Sequence, residues 1–236
     1  MNLLLVEPDE LDGDTVVLDD RRAEHLRDVI GVEIGSRVRA GVVGGALGTG
    51  EVIDDDGEEM TLRLTLGEPA PAPMPVEVIL AVPRPKVLTR AVEALAAFGV
   101  ARITLTNAWR VDKSYLDSPR LHPDALATAV RLGAEQGGTT HLPPITLHRR
   151  LMELLDGRFP APGVHLVAHP GAPPIESALP GARTLAIGPE GGWIARELDT
   201  FVERGFTPIS LGTPVLRVET ALAAALGQLA LLARLR

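Results

Sequence analysis

The chain contains no cysteine, and this absence excludes several kinds of chemistry. Disulfide bonds, a thiolate nucleophile and a zinc site built on cysteine all require that residue. Lysine is scarce as well, since Lys86 and Lys113 are the only two. We attribute this scarcity to genome composition, although the arginines that carry the rest of the positive charge suit bidentate phosphate contacts.

Long hydrophobic runs are also missing. The longest, Ala221 to Ala233, is interrupted by Gly227 and Gln228, and it is shorter than the ~20 residues that span a bilayer. It therefore predicts a buried helix. No basic and apolar leader follows Met1. Together with the lack of cysteine, this predicts a soluble, cytoplasmic protein without a membrane segment.

Charge is distributed unevenly along the chain. The net charge of -8 argues at first against a nucleic-acid partner, because phosphate binding depends on Lys and Arg. Residues 1–70 carry a net charge of -11, however, whereas residues 71–236 carry +3. This asymmetry predicts two domains with different surfaces.

The first part of the chain has short β-branched runs separated by turn residues, with a helical pattern near residues 21–29. Such a pattern predicts a small barrel or sandwich. Proline then occupies every second position from Pro69 to Pro75, which favours a stiff, extended linker. We therefore predict an amino-terminal domain over residues 1–68, a linker over 69–75 and a second domain over 76–236.

The second part alternates between strand and helix patterns, which predicts an α/β fold with a mostly parallel sheet. Predicted strands cover residues 76–82, 101–106, 164–168, 184–187 and 209–211, and predicted helices cover residues 86–98, 123–136, 195–204 and 219–234.

Two of these strands run into glycine-containing loops that feed helices. The first loop is Gly188-Pro-Glu-Gly-Gly192, and the second is Thr213-Pro-Val-Leu-Arg-Val-Glu-Thr-Ala221 after Gly212. Open α/β sheets bind ligands at the carboxyl ends of their strands. The first loop matches neither a P-loop nor a dinucleotide fingerprint. Its glycines would let the main chain approach a small, mostly uncharged molecule, and the alternative is a plain strand-to-helix turn.

These motifs resemble those of a known family. Ile187-Gly-Pro-Glu-Gly-Gly-Trp193, Ser210-Leu-Gly212 and Leu216-Arg-Val-Glu-Thr-Ala221 are similar to the signature of the SPOUT methyltransferases. More narrowly, they resemble the RsmE family of ribosomal small-subunit RNA uridine N3-methyltransferases. Glu24-His-Leu-Arg27 and the pair Glu135-Gln136 extend the resemblance over nearly the whole chain.

The resemblance implies a SPOUT-type knotted α/β domain with a smaller amino-terminal PUA-like β-barrel that binds RNA. It implies a trefoil knot that holds S-adenosylmethionine, a homodimer, and ribosomal RNA or the small ribosomal subunit as partner. The implied cofactor-binding residues are Val167, Ala168, Ile187, Gly188, Glu190, Gly191, Gly192, Ser210, Leu211, Gly212 and Leu216.

Uridine N3 carries a proton, so its methylation needs a cation to stabilise the anion, a base, or both. Arg217 has a permanent charge and forked donors suited to the first task, and Glu219 is the candidate base or the group that orients Arg217. The alternative is an Arg–Glu pair that only fixes the loop. The candidate RNA-binding residues are Arg84, Lys86, Arg110 and Lys113.

Several assignments remain open. Glu190 either contacts the cofactor or fixes its loop, and His169 is either part of the pocket or a satisfied loop histidine. The histidines do not form a metal set. Arginines typical of the family are replaced near Gly31 and in Gly137-Gly-Thr-Thr140, which removes cations expected at RNA. The alternatives are a SPOUT enzyme that methylates another position, such as a ribose 2′-oxygen, and a non-catalytic RNA-binding assembly factor.

Overall fold

The computed structural model of the protein describes residues 2–175, 181–212 and 214–235, and the chain forms two compact units. Unit 1 comprises Met1–Ala72 and Arg131–Leu142, and unit 2 comprises Pro73–Val130 and Pro143–Arg236. No helix within the described ranges combines the length and the apolar character needed to cross a membrane.

Unit 1 contains a six-stranded sheet in the order β1-β4-β5-β6-β3-β2. Its strands are β1 (Leu4–Val6), β2 (Leu11–Asp12), β3 (Thr15–Leu18), β4 (Arg37–Val42), β5 (Leu47–Asp55) and β6 (Met60–Glu68). Strand β1 pairs with β4 in parallel, and the other pairs are antiparallel. Alternate residues of β6, namely Met60, Leu62 and Leu64, are buried in the core. This alternation is the pattern of a sheet with one covered face.

A short helix, α1 (Arg21–His25), continues into a π-helical turn over Leu26–Ile30. Asp20 caps α1 by accepting the main-chain N–H of Arg22 at 2.8 Å. The guanidinium of Arg22 is buried and donates to the carbonyl of Leu5 and to the carboxylate of Glu10, both at 2.9 Å. The buried charge is therefore fully paired, which offsets the cost of its desolvation.

Residues 131–142 belong to unit 1, although the sequence-based assignment included them in the continuous domain 76–236. The buried carboxylate of Glu135 accepts two hydrogen bonds from Arg21, at 2.8 and 3.2 Å. Arg131 forms an ion pair with Glu7. The carbonyl of Thr140 accepts the main-chain N–H of Gly44 at 2.8 Å. These contacts join a distant segment to the amino-terminal sheet.

Unit 2 contains a six-stranded, wholly parallel sheet in the order β12-β10-β11-β7-β8-β9. Its strands are β7 (Met74–Ala81), β8 (Val100–Thr106), β9 (Ile145–His148), β10 (Val164–Ala168), β11 (Ala182–Ile187) and β12 (Phe206–Ile209). The main helices are α2 (Pro85–Ala97), α4 (Leu151–Arg158), α5 (Ala195–Glu203) and α6 (Val218–Arg234), and α3 (Pro123–Gly137) passes from unit 2 into unit 1 at Arg131. The prediction of an α/β fold with a mostly parallel sheet is confirmed.

Some boundaries differ from the predictions. Strand β12 ends at Ile209, whereas the sequence pattern placed a strand at residues 209–211. Ile209 still accepts the main-chain N–H of His169 at 2.9 Å, but Ser210 donates to Pro173 in a neighbouring loop. The chain therefore leaves the strand at Ser210. Strand β9 and helix α4 were not predicted.

Candidate functional site

A cavity lies at the carboxyl ends of β10, β11 and β12 in unit 2. These strands are parallel neighbours, so the loops that follow them meet at one edge of the sheet. The described residues that line the cavity come from all three loops and from the start of α6: Ala168, His169, Pro170, Ile187, Gly188, Pro189, Glu190, Gly191, Gly192, Trp193, Leu211, Gly212, Pro214, Val215, Leu216, Val218 and Ala221.

All but two of the predicted cofactor-binding residues line this cavity. The exceptions are Val167, which is fully buried within β10, and Ser210, whose main-chain N–H donates to Pro173 at 2.8 Å. Thr213, which belongs to the second predicted loop, lies outside the described residues. The two loops identified in the sequence thus line one cavity.

We call residues 188–194 the first wall. The side chain of Glu190 accepts the main-chain N–H of Arg84 at 3.0 Å, and the guanidinium of Arg110 donates to the carbonyl of Gly191. A Cβ at position 191 would lie 3.0 Å from Cδ of Arg110, so glycine permits this close contact. Glu190 therefore fixes its loop, in addition to lining the cavity.

The buried carboxylate of Glu197 also holds the first wall in place through hydrogen bonds. One oxygen accepts the main-chain N–H of Trp109 at 2.7 Å, and the other accepts that of Ile194 at 3.0 Å. Hydrogen bonds to an ionised acceptor are stronger than those between neutral groups. Glu197 thereby joins the start of α5 to the loop that follows β8.

Gly188 and Trp193 pack closely inside the first wall. A Cβ at position 188 would lie 3.3 Å from the indole of Trp193. This indole is buried and packs edge-to-face on Phe201, with ring centroids 4.9 Å apart. Glycine at position 188 therefore leaves space for the indole of Trp193, which lines the cavity.

Two residues that line the cavity each have a buried side-chain nitrogen atom without a hydrogen-bond partner within the described part of the chain. The two atoms are Nδ1 of His169 and Nε1 of Trp193. Buried polar atoms are nearly always hydrogen-bonded, so such atoms call for an explanation. His169 lines the cavity, and its Nδ1 has no hydrogen-bond partner within the described residues, so it is not a satisfied loop histidine.

We call the described residues of 211–218 the second wall. The side chain of Gln228 donates to the carbonyl of Leu211 at 3.3 Å. Arg217 precedes the first turn of α6, and its carbonyl accepts the main-chain N–H of Ala221 at 2.8 Å. Leu216 and Val218 line the cavity, whereas the side chain of Arg217 is exposed.

Arg217 and Glu219 do not form an ion pair with each other, and neither has a hydrogen-bonded side chain among residues 2–175, 181–212 and 214–235. Glu219 is half-buried in the first turn of α6. An Arg–Glu pair that only fixes the loop is therefore not what the structure contains. Arg217 and Glu219 are the neighbours in sequence of Val218, which lines the cavity.

The predicted RNA-binding residues Arg84, Lys86, Arg110 and Lys113 are all exposed. Arg84 and Arg110 contact the first wall, as described above, whereas no such contact involves Lys86 or Lys113 within the described ranges. Next to Lys113, hydrogen bonds from the main-chain N–H and hydroxyl of Ser114 hold the pKa of Asp112 below its ordinary value.

Trp109 is a residue of interest that the sequence analysis missed. It follows β8, and its side chain is 79% exposed. The only available signal was its position just beyond the carboxyl end of a predicted strand. No group of three His, Cys, Asp or Glu side chains within the described residues is arranged to hold a metal ion.

Comparisons with known proteins agree with this architecture. Ribosomal RNA small subunit methyltransferase E of Treponema pallidum is 27% identical over an alignment that covers 95% of this chain and 89% of that protein. Ribosomal RNA small subunit methyltransferase E 1 of Borreliella burgdorferi is 26% identical, with 95% of each chain covered.

Solved structures share the fold. Ribosomal RNA small subunit methyltransferase E of Neisseria gonorrhoeae, bound to S-adenosyl methionine, superimposes with a TM-score of 0.80 at 23% identity and 98% coverage of both chains. A Legionella pneumophila methyltransferase in complex with the same cofactor gives a TM-score of 0.78 at 22% identity, with 97% of this chain and 96% of that chain covered.

A family model described as an RNA methyltransferase domain matches residues 70–230. This range is well over half of the chain and includes every residue that lines the cavity. The chain therefore belongs to the RNA methyltransferase family.

Proposed function

We propose that this protein uses S-adenosylmethionine to methylate N3 of a uridine in the 16S ribosomal RNA of the small subunit. Membership of the RNA methyltransferase family supports the reaction class. The relatives named ribosomal RNA small subunit methyltransferase E support the substrate. The observation that carries the proposal is that two loops separated by α5 and β12 line one cavity with most of the expected residues.

The cavity suits the proposed cofactor. Its glycine-rich first wall brings main-chain groups to the ligand, and its remaining lining is largely apolar. When bound, S-adenosylmethionine supplies an electrophilic methyl group on its sulfonium centre.

The chain itself must deal with the proton on uridine N3. The pKa of that nitrogen lies roughly two units above neutral, so its ionisation costs about 3 kcal/mol. The exposed guanidinium of Arg217 is suited to hydrogen-bond the uracil oxygens and to stabilise the developing negative charge. Glu219 is suited to accept the proton or to orient Arg217.

The target base must leave its stack to reach the methyl group of the bound cofactor, which costs a few kcal/mol. Arg84, Lys86, Arg110 and Lys113 are proposed to bind the RNA phosphates. Unit 1 is proposed to be a PUA-like barrel that adds RNA contacts. The replacement of family arginines near Gly31 and at Gly137–Thr140 makes those positions of unit 1 neutral.

The remaining parts of the proposal follow from the family resemblance. The segment that lines the cavity would be threaded as a trefoil knot, and two copies would form a homodimer, since closed two-fold dimers are the commonest oligomers. The protein would work in the cytoplasm, where ribosomal subunits are assembled.

Two measurements test the proposed function. Mass spectrometry of ribosomal RNA from strains with and without the gene should reveal one 3-methyluridine that depends on the gene. Loss of a ribose methyl group instead would assign the chain to another position of the RNA.

Calorimetric titration with S-adenosylmethionine should give one site per chain, and an absence of binding would favour a non-catalytic assembly factor.

A further inference from the structure

Trp109 presents an aromatic ring to solvent beside the cavity. Its side chain is 79% exposed, compared with 3% for Trp193, the other tryptophan of the chain. Large aromatic side chains usually bury most of their surface. An exposed tryptophan at the edge of a functional cavity therefore points to a partner that covers it.

The main chain beneath this ring is held firmly. The N–H of Trp109 donates to the buried carboxylate of Glu197 at 2.7 Å. On either side, Ala108 and Val111 are buried, and the N–H of Val111 donates to the carbonyl of Ala108 at 3.0 Å. The ring is therefore exposed on a fixed turn, so little ordering of the main chain would be needed when a partner binds.

The turn adjoins the first wall of the cavity. Arg110, the next residue, donates from its guanidinium to the carbonyl of Gly191, which lines the cavity. Trp109 is therefore the immediate neighbour in sequence of a residue that contacts the cavity wall.

Exposed basic side chains lie in the loops that follow β7 and β8, the second of which carries Trp109. The carboxylates of Glu190 and Glu197 accept main-chain N–H groups, and that of Asp112 accepts the N–H and hydroxyl of Ser114. These acidic groups are therefore already hydrogen-bonded within the protein. The side chains of Arg84, Arg110 and Lys113 are exposed in the same two loops. Positive charge combined with an exposed aromatic ring is the usual arrangement for binding single-stranded nucleic acid.

We infer that Trp109 stacks on a base of the RNA substrate at the mouth of the cavity, an inference that rests on the proposed function. Every base has a flat π face, so stacking on tryptophan holds RNA with little preference for sequence. The ring would keep the RNA in place while the target uridine lies at the mouth of the cavity, next to the bound cofactor. Trp109 is accordingly assigned to substrate binding and not to methyl transfer itself.

The test compares three variants of the full-length protein. In Trp109→Ala, the KM for small-subunit RNA should rise about 10-fold, while the dissociation constant for S-adenosylmethionine stays at the wild-type value. Trp109→Phe should recover most of the loss, because a flat ring remains. Phe98→Ala is the matched control, since Phe98 is also exposed, at 40%, but precedes β8 and so lies at the opposite end of that strand.

A spectroscopic measurement provides a second readout. RNA without cofactor should quench the tryptophan fluorescence of the wild type, and this quenching should disappear in Trp109→Phe, which retains Trp193. An unchanged KM and unchanged quenching in the variants would overturn the inference. So would a change from dimer to monomer in Trp109→Ala by light scattering, because a second copy of the chain would then be what covers the ring.

Failure of the inference and failure of the proposed function are distinguishable. If the wild type neither binds S-adenosylmethionine nor methylates uridine, the proposed function fails. If the wild type does both and Trp109→Ala matches it, only the role of Trp109 is wrong.

Discussion

The two walls of the cavity are held in different ways. The first wall, residues 188–194, is fastened through the side chains of Glu190, Glu197 and Arg110 to the loops after β7 and β8. In the second wall, the described residues of 211–218, the side-chain contact is one hydrogen bond from Gln228. We interpret the first wall as a preformed cofactor surface, whereas the second leaves the side chain of Arg217 available for the substrate.

The largest effect is expected in the second wall. Arg217→Ala should lower the rate of methyl transfer by about 100-fold or more, because the charge that develops on uracil loses its stabilising cation. Binding of S-adenosylmethionine should persist. Arg234→Ala is the matched control, since Arg234 is exposed at the far end of the same helix. Wild-type turnover by Arg217→Ala, measured with radiolabelled cofactor, would contradict the assignment.

The next largest effect is expected on stability, from the loss of the hydrogen bonds that Glu197 makes to the first wall. Glu197→Ala should lower the free energy of unfolding by about 2 kcal/mol, because it removes a buried carboxylate that accepts the main-chain N–H groups of Trp109 and Ile194. Denaturant titration measures this change. Glu203→Ala, an exposed position on the same helix, should be nearly neutral. Equal stability of the two variants would show that the first wall does not depend on Glu197.

A smaller effect is expected when a methyl group is added inside the first wall. Gly188→Ala places a methyl group 3.3 Å from the indole of Trp193, and the displacement should cost about 1 kcal/mol. Weaker binding of S-adenosylmethionine should accompany the loss. Gly157→Ala in α4 is the control, because a Cβ there meets nothing within 4 Å. If both variants bind the cofactor equally well, close packing at Gly188 is unimportant for the cavity.

The smallest effect should come from the single side-chain contact of the second wall. Gln228→Ala removes the 3.3 Å hydrogen bond to Leu211, and it should cost about 1 kcal/mol or less in unfolding free energy. Cofactor affinity should change little. A loss as large as that in Glu197→Ala would mean that the two walls are held equally firmly, and the contrast between them would be wrong.

The position of the cavity could be predicted because it follows from local patterns. Apolar runs end at Ala168, Gly188 and Gly212, and the carboxyl ends of parallel strands meet at one edge of a sheet. Val167 and Ser210, which were also predicted to bind the cofactor, do not line the cavity. Residues within or just beyond a strand can be buried or bonded elsewhere while their neighbours line the cavity.

Other features could not be predicted because they depend on distant partners. Glu197 and Trp109 are 88 residues apart, and nothing in either local sequence indicates their contact. Strand β9 lies at the edge of its sheet and is only half-buried, so its apolar pattern is weak. Helix α3 has a continuous periodicity, which conceals the passage from unit 2 to unit 1 at Arg131.

Because unit 1 is built from two separate segments of the chain, it cannot fold completely until both have been synthesised. The amino-terminal sheet is encoded within the first 72 residues, but the partner of Arg21 is Glu135. A nascent chain that has just emerged up to Pro73 therefore still lacks part of its first folding unit. Gene fragments cut at this point should yield a polypeptide prone to proteolysis, whereas a fragment in which residues 131–142 are joined back to it should resist digestion.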